Sequence, residues 1–170
     1  MYKIGKYITY DDVVRSDMAK RLGVQNAPND SQLANIEALI LNIYDKVIDH
    51  FNKKIGFNSC FRNEVINNAI KGARNSQHCT GEAIDIDADI YANVTNQSIF
   101  TFIKSNLNYD QLIPEDIDSK GNIGWIHVSY SKSNNRKQPM VMIRVNGKPK
   151  YFPFSESKEF ISSNYLKSNT

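Results

Sequence analysis

Two short segments of this chain carry residue types that bind metal ions. Residues 76–87 contain His78 and Asp85 on either side of a glycine turn, and residues 125–129 carry His127 inside an apolar, β-branched run. Two histidines and one aspartate are three protein ligands, which leave a fourth position for water, as a hydrolytic zinc centre requires. A structural zinc site usually closes with four cysteine or histidine ligands. The residue types therefore predict a metallohydrolase.

The alternation of polarity in these segments predicts how the ligands meet. Side chains alternate between the two faces of a strand. One face of residues 83–87 and 125–129 is apolar, which suits a core; it carries Ile84, Ile86, Ile126 and Val128. Asp85 and His127 fall on the opposite face. If the two strands are neighbours in one sheet, Asp85 and His127 converge, and His78 reaches them from the preceding turn.

Simpler explanations exist for each residue taken alone. A histidine in a strand is more often an ordinary hydrogen-bonded side chain than a ligand, and short motifs carry a high false-positive risk. The chain has three histidines, however, and two of them lie in segments of matching polarity. The third, His50, follows a helical pattern, and the end of a helix explains it adequately. The acidic run that begins at Asp85 resembles an EF-hand loop, but Ile90 and Asn96 stand where glycine and glutamate are required.

Length and composition predict one domain. The chain has 170 residues, of which 41% are hydrophobic, and this is enough for a single core. We expect residues 1–154 to form the domain and residues 155–170 to be a polar tail. The apolar spacing predicts a short helix over 11–22, a long helix capped by Asp30 or Ser31 and running to about Lys53, and further helices over 63–71 and 97–106. Strands are predicted at 56–59 and 141–145, the latter joined to 151–154 by an Asn-Gly turn.

These elements predict an α+β fold, with helices packed on one face of a small, mainly antiparallel sheet whose other face carries the metal. The motif Ser-x-His-x-x-Gly-x-Ala-x-Asp is matched at every defined position by Ser76, His78, Gly81, Ala83 and Asp85. It resembles the signature of the zinc D-Ala-D-Ala carboxypeptidase family. Residues 58–63 and 72–76 resemble the lead-in of that family, and residues 109–113 and 125–129 resemble the closing segments of its phage-associated branch.

The resemblance implies an activity and a set of roles. It implies a D-Ala-D-Ala carboxypeptidase or a related peptidoglycan endopeptidase with the architecture of Hedgehog-type zinc domains. His78, Asp85 and His127 would be the zinc ligands, and Arg62 would contact a substrate carboxylate or carbonyl. A guanidinium suits a carboxylate by its planar fork of donors, although Arg62 could equally anchor its own loop. Ser76 would touch substrate or cap the turn, and the same two roles are open to Gln77.

One position departs from the family pattern. Many members carry an acidic residue three positions before the last histidine ligand, where it serves as general acid/base, but this chain has Gly124 there. The candidates nearby are Glu115, Asp110, Glu82 and Asp87, and we favour Glu115. In the extended segment 111–115, Gln111 and Glu115 share a face and could both point into a site. Asp110 lies on the opposite face, where orienting a histidine or capping is the expected role.

The charge balance and the first residues of the chain limit which partners and which location are expected. The chain has 21 basic and 18 acidic residues, which are scattered, so nucleic-acid binding is not indicated. The expected partners are peptidoglycan peptide stems, with other virion or lysis proteins as a possibility, and no segment has the length of a membrane span. Since the first residues lack the apolar run of a signal peptide, we expect a cytoplasmic product that acts on the cell wall after release or is carried in a virion.

Three functions follow as hypotheses. The first is a zinc-dependent peptidoglycan peptidase of phage type that cleaves next to a D-amino acid. The second is a non-catalytic cell-wall-binding or virion component that keeps the zinc fold but has lost its acid/base. The third is a metallopeptidase acting on ordinary L-peptides. Zn²⁺ suits a His/His/Asp set best, although Co, Ni or Mn could occupy it.

Overall fold

The chain folds around one six-stranded sheet flanked by helices. The computed structural model describes residues 2–118 and 120–156. The strand order is β1-β2-β4-β3-β5-β6, with β3 and β5 parallel and the other pairings antiparallel. The strands are β1 (Gly56–Ser59), β2 (Ala83–Asp87), β3 (Gln111–Glu115), β4 (Trp125–Ser129), β5 (Gln138–Val145) and β6 (Lys148–Pro153). The predicted α+β class is confirmed, and the likeness to Hedgehog-type zinc domains stays a prediction.

The helices lie mainly before the strands in the chain. They are α1 (Tyr10–Val13), α2 (Asp17–Leu22), α3 (Asp30–Leu39), α4 (Asp45–Phe51), α5 (Glu64–Ala69), α6 (Gln77–Thr80) and α7 (Asn96–Asn106). A π-helical turn, Ile40–Tyr44, joins α3 to α4, and short 3₁₀ turns cover Ala88–Ile90 and Phe154–Glu156. The single helix predicted over 11–22 is therefore two helices, and the long helix ending near Lys53 is interrupted.

Capping residues explain where the helices begin and end. Ser16, Asn29, Asn63 and Thr95 each accept a backbone N–H from the first turn of the helix that follows. The prediction that Asp30 or Ser31 caps the long helix is wrong, because Asn29 and Gln32 form a reciprocal capping box instead. Gly23 adopts the left-handed conformation that ends α2, as the sequence predicts.

The core lies between one face of the sheet and the longer helices. Ile84 and Ile86 of β2 and Ile126 and Val128 of β4 are fully buried, and they belong to the same apolar cluster as the inward residues of α3, α4 and α7. The alternation predicted for β2 and β4 therefore holds. The opposite face of these two strands carries Asp85 and His127, which leaves that face available for a polar site.

The last strands form the predicted hairpin. Asn146 and Gly147 both have positive φ at the turn between β5 and β6, which suits the twist of a two-residue hairpin loop. The tail expected from residue 155 falls, from residue 157 onward, outside the described part of the chain, so the boundary at 154 stays a prediction. None of the helices that the structure describes is long and apolar enough to cross a membrane.

Candidate metal centre

The two strands that carry Asp85 and His127 pair directly. The antiparallel register of β2 and β4 places Asp85 opposite His127. Their side chains share one face, and His127 Nδ1 lies 3.0 Å from Asp85 Oδ1. The predicted convergence of these two residues requires their strands to be neighbours in one sheet, and the fold meets that condition.

His78 reaches the same point from the short helix α6. The left-handed Gly81 ends α6 one residue before the chain turns toward β2, so the helix lies next to the strand that it precedes. His78 Nε2 is 3.1 Å from Asp85 Oδ1 and 3.3 Å from His127 Nδ1. The three side chains are 3%, 12% and 12% exposed for His78, Asp85 and His127. Residues far apart in sequence thus meet at the edge of the buried interior.

The spacing of three side-chain atoms suits a divalent cation; these are His78 Nε2, Asp85 Oδ1 and His127 Nδ1. They form a nearly equilateral triangle with sides of 3.0, 3.1 and 3.3 Å. Tetrahedral ligands about 2.0 Å from a zinc ion lie about 3.3 Å from one another. The triangle therefore matches one face of a tetrahedral site, and the same three residues are the metal-binding group that the described part of the chain offers.

Backbone contact prepares His78 for ligation. Its Nδ1 lies 2.6 Å from the carbonyl oxygen of Cys60, which can only accept, so Nδ1 carries the proton and Nε2 keeps its lone pair. Burial lowers the pKa of His78, which favours the neutral imidazole that binds metals. The ligand nitrogen is thus fixed in both direction and protonation state.

The carboxylate is held in its ionised form. Burial by itself would raise the pKa of Asp85, but the charges and hydrogen bonds that His78 and His127 offer when they are protonated outweigh burial and hold that pKa far below its usual range. The pKa of His127 lies above its ordinary value. Burial acts to lower it, but the hydrogen bond and charge of Asp85 outweigh burial. A deprotonated oxygen is the form that ligates a cation.

The metal-binding group lies at the floor of an open cleft. The cleft has a volume of about 590 Å³. It is lined by all of the site residues predicted from the sequence: His78, Asp85, His127, Glu115, Arg62, Ser76 and Gln111. The structure therefore brings every one of them to a single place.

Glu115 lies close to the metal-binding group. In the register of β3 and β4, Ile113 is opposite His127 and Glu115 is opposite Trp125. Because alternate residues of a strand share a face, Glu115 lies on the same face of the sheet as His127, two residues along β3 from the position opposite it. Burial raises the pKa of Glu115 to about 7. A carboxyl group with that pKa can both accept and return a proton near neutral pH.

A side chain at position 124 would be crowded by its neighbours. A Cβ atom at this position would lie 3.1 Å from Asp116 Cβ and 3.2 Å from the carbonyl oxygen of Glu115. The backbone N–H of Gly124 donates to that same carbonyl. A larger residue at position 124 would therefore require Asp116 or the backbone of Glu115 to shift by a few tenths of an ångström.

The remaining predicted residues differ in how they are held. Arg62 Nη1 is 3.3 Å from Ser59 Oγ and 3.8 Å from Asp85 Oδ2, while its buried Nε has no partner among the described residues. Ser76 begins α6, and its side chain makes no capping hydrogen bond. Gln111 Nε2 donates to Gln138 Oε1 at 2.9 Å. Arg62 and Ser76 thus have donor capacity left for a substrate.

Sequence reasoning missed an ion pair beside the cleft, between the buried Asp110 and the half-exposed Arg136. Asp110 was expected to orient a histidine or to cap, but its carboxylate accepts from Arg136 Nε and Nη2, both at 2.6 Å, and from Gln77 Nε2 at 2.8 Å. Hydrogen bonds from Arg136, together with that from Gln77, lower the pKa of Asp110. Arg136 lies in a polar loop without a motif, so nothing in the sequence indicated this role.

The fold and the site together define a metallopeptidase-type centre, with an open three-ligand group and a carboxyl group beside it. Residues 6–129 match the family model of Peptidase M15. The match covers most of the chain, and the protein belongs to the Peptidase M15 family, whose members are zinc-dependent metallopeptidases. No curated protein matches the chain.

Proposed function

We propose that this protein is a zinc metallopeptidase that hydrolyses peptide bonds of bacterial peptidoglycan next to a D-amino acid, in cell-wall lysis of phage type. The observation that carries the proposal is the triangle of His78, Asp85 and His127 at the floor of an open cleft that also holds Glu115. The resemblance of the Ser76–Asp85 motif to zinc D-Ala-D-Ala carboxypeptidases supports the substrate class.

The ligand set indicates the chemistry of the centre. Zn²⁺ held by His78, Asp85 and His127 would polarise the scissile carbonyl and lower the pKa of water to about 7. The chain supplies the remaining functions. Glu115 takes a proton from the attacking water and returns it to the leaving amine. Arg62 donates to a substrate carbonyl or carboxylate, since its guanidinium lies beside Asp85 and Arg62 lines the cleft.

The test is a digestion with two substrates. Zinc-loaded protein is incubated with purified sacculi and, separately, with an ordinary L-peptide, and the new termini are identified by mass spectrometry. Release of D-alanine would indicate a carboxypeptidase, and new internal amines would indicate an endopeptidase. Cleavage of the L-peptide alone would overturn the peptidoglycan assignment.

A protein that holds zinc yet cleaves neither substrate would instead be the non-catalytic wall-binding or virion component. The observation in favour of that alternative is the missing acidic residue at Gly124. The presence of Glu115 in the cleft favours the catalytic hypothesis. A zinc measurement on the same sample separates an inactive holoprotein from one that never bound the metal.

A further inference from the structure

A second large cavity lies along the outer side of β1, the edge strand of the sheet next to β2. Its volume is about 640 Å³, larger than that of the metal cleft. Tyr7, Arg15, Lys53, Lys54 and Tyr91 are among the residues that line it. None of these residues takes part in the metal centre or in the proposed chemistry.

A smaller cavity of about 430 Å³ lines up beside both, because it shares lining residues with the larger cavity and with the metal cleft. This smaller cavity shares Arg62 with the metal cleft and shares Arg15, Phe57 and Ile90 with the larger cavity. It follows β1 from Ser59, which pairs with Asp85, back toward Gly56. We call the larger and the smaller cavity together the β1 groove. At about 3.3 Å per residue, β1 alone gives the groove a length of roughly 10 Å.

The β1 groove is cationic at its far end. Lys53 and Lys54 make no ion pair within the described residues, and Lys54 Nζ lies 4.4 Å from the ring centroid of Tyr91. Two acidic residues line the groove. Asp12 accepts from the N–H and Oγ of Thr9 at 2.9 and 2.6 Å, and these hydrogen bonds, together with the charges of Arg15 and Lys54, lower its pKa. Asp17 pairs with Lys20 at 3.2 Å. Arg15 donates to the carbonyl oxygen of Phe57 at 3.3 Å and keeps further donors. Arg15, Lys53 and Lys54 outnumber Asp12, so this end of the groove keeps a net positive charge that can attract carboxylates.

We propose that the β1 groove binds a second, carboxylate-bearing peptide stem of the same polymer whose scissile bond occupies the metal cleft. This inference rests on the proposed function and adds to it that the substrate is a polymer rather than an isolated short peptide. Arg62 joins the two sites, and Arg15, Lys53 and Lys54 recognise the carboxylates of the second stem. A concave wall with an excess of positive charge strengthens such attraction.

The test measures binding rather than turnover. Wild-type protein, the double variant Lys53→Glu/Lys54→Glu and the control Lys46→Glu/Lys104→Glu are cosedimented with purified sacculi at low temperature and at two salt concentrations. Both double variants change the net charge equally, but Lys46 and Lys104 line none of the three cavities. We expect the groove variant to bind about tenfold more weakly than wild type, and the control to bind about as tightly as wild type. Added salt should weaken wild-type binding more than that of the groove variant.

The outcomes separate this inference from the proposed function. Equal binding by the groove variant and the control would overturn the second site, as would tighter binding to nucleic acid than to sacculi. Wild-type cleavage of a soluble stem peptide without measurable sacculus binding would also overturn it, while leaving the peptidase intact. Zinc content and melting temperature check that both variants fold. If the charge reversal unfolds the chain, Lys53→Gln/Lys54→Gln replaces it and is expected to weaken binding about threefold.

Discussion

At the scale of single residues, the metal centre depends on protonation states that the fold imposes. The Cys60 carbonyl holds the His78 ring with Nε2 toward Asp85, and the surroundings of Asp85 hold the pKa of its carboxyl group far below the usual range. Because both effects come from buried neighbours, they exist only when β2, β4 and α6 have assembled. The unfolded chain has no comparable site, and metal binding is therefore coupled to folding.

Replacing one ligand should abolish stoichiometric metal binding. We expect His127→Ala to weaken zinc affinity by more than about 100-fold, since loss of a partner that merely orients a ligand already costs about 10–100-fold. His50→Ala is the matched control, because His50 stacks on Phe102 at a centroid distance of 3.9 Å and lies outside the centre. Zinc per protein after dialysis is the measurement. Full zinc retention in His127→Ala would remove this residue from the ligand set.

Glu115 should affect turnover and not metal content. We expect Glu115→Gln to lower kcat by about 10²–10⁴-fold, the usual contribution of a general acid/base, because the amide cannot accept the proton of the attacking water. Zinc content should equal that of wild type. Asp87→Asn, which alters a candidate left open by the sequence, serves as the control and should retain most of the activity. Near-normal turnover in Glu115→Gln would remove Glu115 from the role.

The sequence predicted that Asp85 and His127 lie on one face because strand alternation is a strict geometric rule. It places Asp85 and His127 on the face opposite to the isoleucines, and the fold agrees. Arg136 could not be predicted in the same way. Arg136 lies in a loop, 26 positions after its partner Asp110 in the sequence. No local sequence pattern determines which distant residue a loop side chain contacts.

At the scale of elements, α3 carries the short helix that bears His78. Gln32 Nε2 donates to the carbonyl oxygen of Cys79, and Asn35 Nδ2 donates to that of Thr80, both at 2.9 Å. These contacts satisfy carbonyl groups at the end of α6 that have no partner within the helix. A four-residue helix is not stable by itself, so α3 supplies the support that α6 lacks.

Gly81 is the position where this support is most easily broken. A Cβ atom there would lie 2.5 Å from the Gln32 carbonyl oxygen, at a φ of +77° that disfavours other residues. We expect Gly81→Ala to destabilise the protein by about 2–4 kcal/mol and to weaken zinc binding, since backbone strain and a clash act together. Gly23→Ala is the control: its φ is +65° but nothing lies within 4 Å, so about 1 kcal/mol is expected. Equal losses in both variants, measured by denaturant unfolding, would contradict a specific clash at Gly81.

Element boundaries were predicted less well than element types. The apolar spacing over residues 30–53 indicates a helix, and helical structure is present, but it contains a π-helical turn at Ile40–Tyr44. A π turn inserts a residue into the helix and shifts the buried face. The apolar run Leu39, Ile40, Leu41 is compatible with either face, so the pattern could not reveal the shift. Packing against the sheet decides it.

At the scale of the whole molecule, Asp110 connects three parts of the chain. Its carboxylate joins the start of β3 to α6 through Gln77 and to the loop before β5 through Arg136. The side chain of Asp110 is 5% exposed, so its charge is buried and fully paired. Removing the charge leaves donors without an acceptor in a partly buried setting, which usually costs about 1–3 kcal/mol.

This ion pair predicts a pH dependence of stability. The folded-state pKa of Asp110 lies below its unfolded value of about 3.9, so its contribution is present above that value and is lost as the pH falls through the folded-state pKa. The difference in free energy of unfolding between wild type and Asp110→Asn should therefore be about 1–3 kcal/mol at pH 7 and should shrink below about pH 4. Metal-free protein and urea denaturation isolate the effect. Asp17→Asn, whose side chain is 82% exposed, should change stability by less than about 0.5 kcal/mol. An Asp110 difference that is as large at pH 3 as at pH 7 would contradict the linkage.

Metal removal should lower the stability of the entire domain, because the ligands come from α6, β2 and β4 and a bound ion joins all three. An ion that binds only the folded state stabilises it by about 2.7 kcal/mol at a free concentration 100 times its Kd. For a chain of this size, that corresponds to a rise in Tm of roughly 5–10 °C. We expect chelation to lower the Tm of wild type by this amount, readdition of zinc to restore it, and His127→Ala to show almost no zinc-dependent shift. A wild-type Tm that is insensitive to both treatments would mean that His78, Asp85 and His127 do not hold an ion in solution, and the proposed peptidase would lose its basis together with the centre.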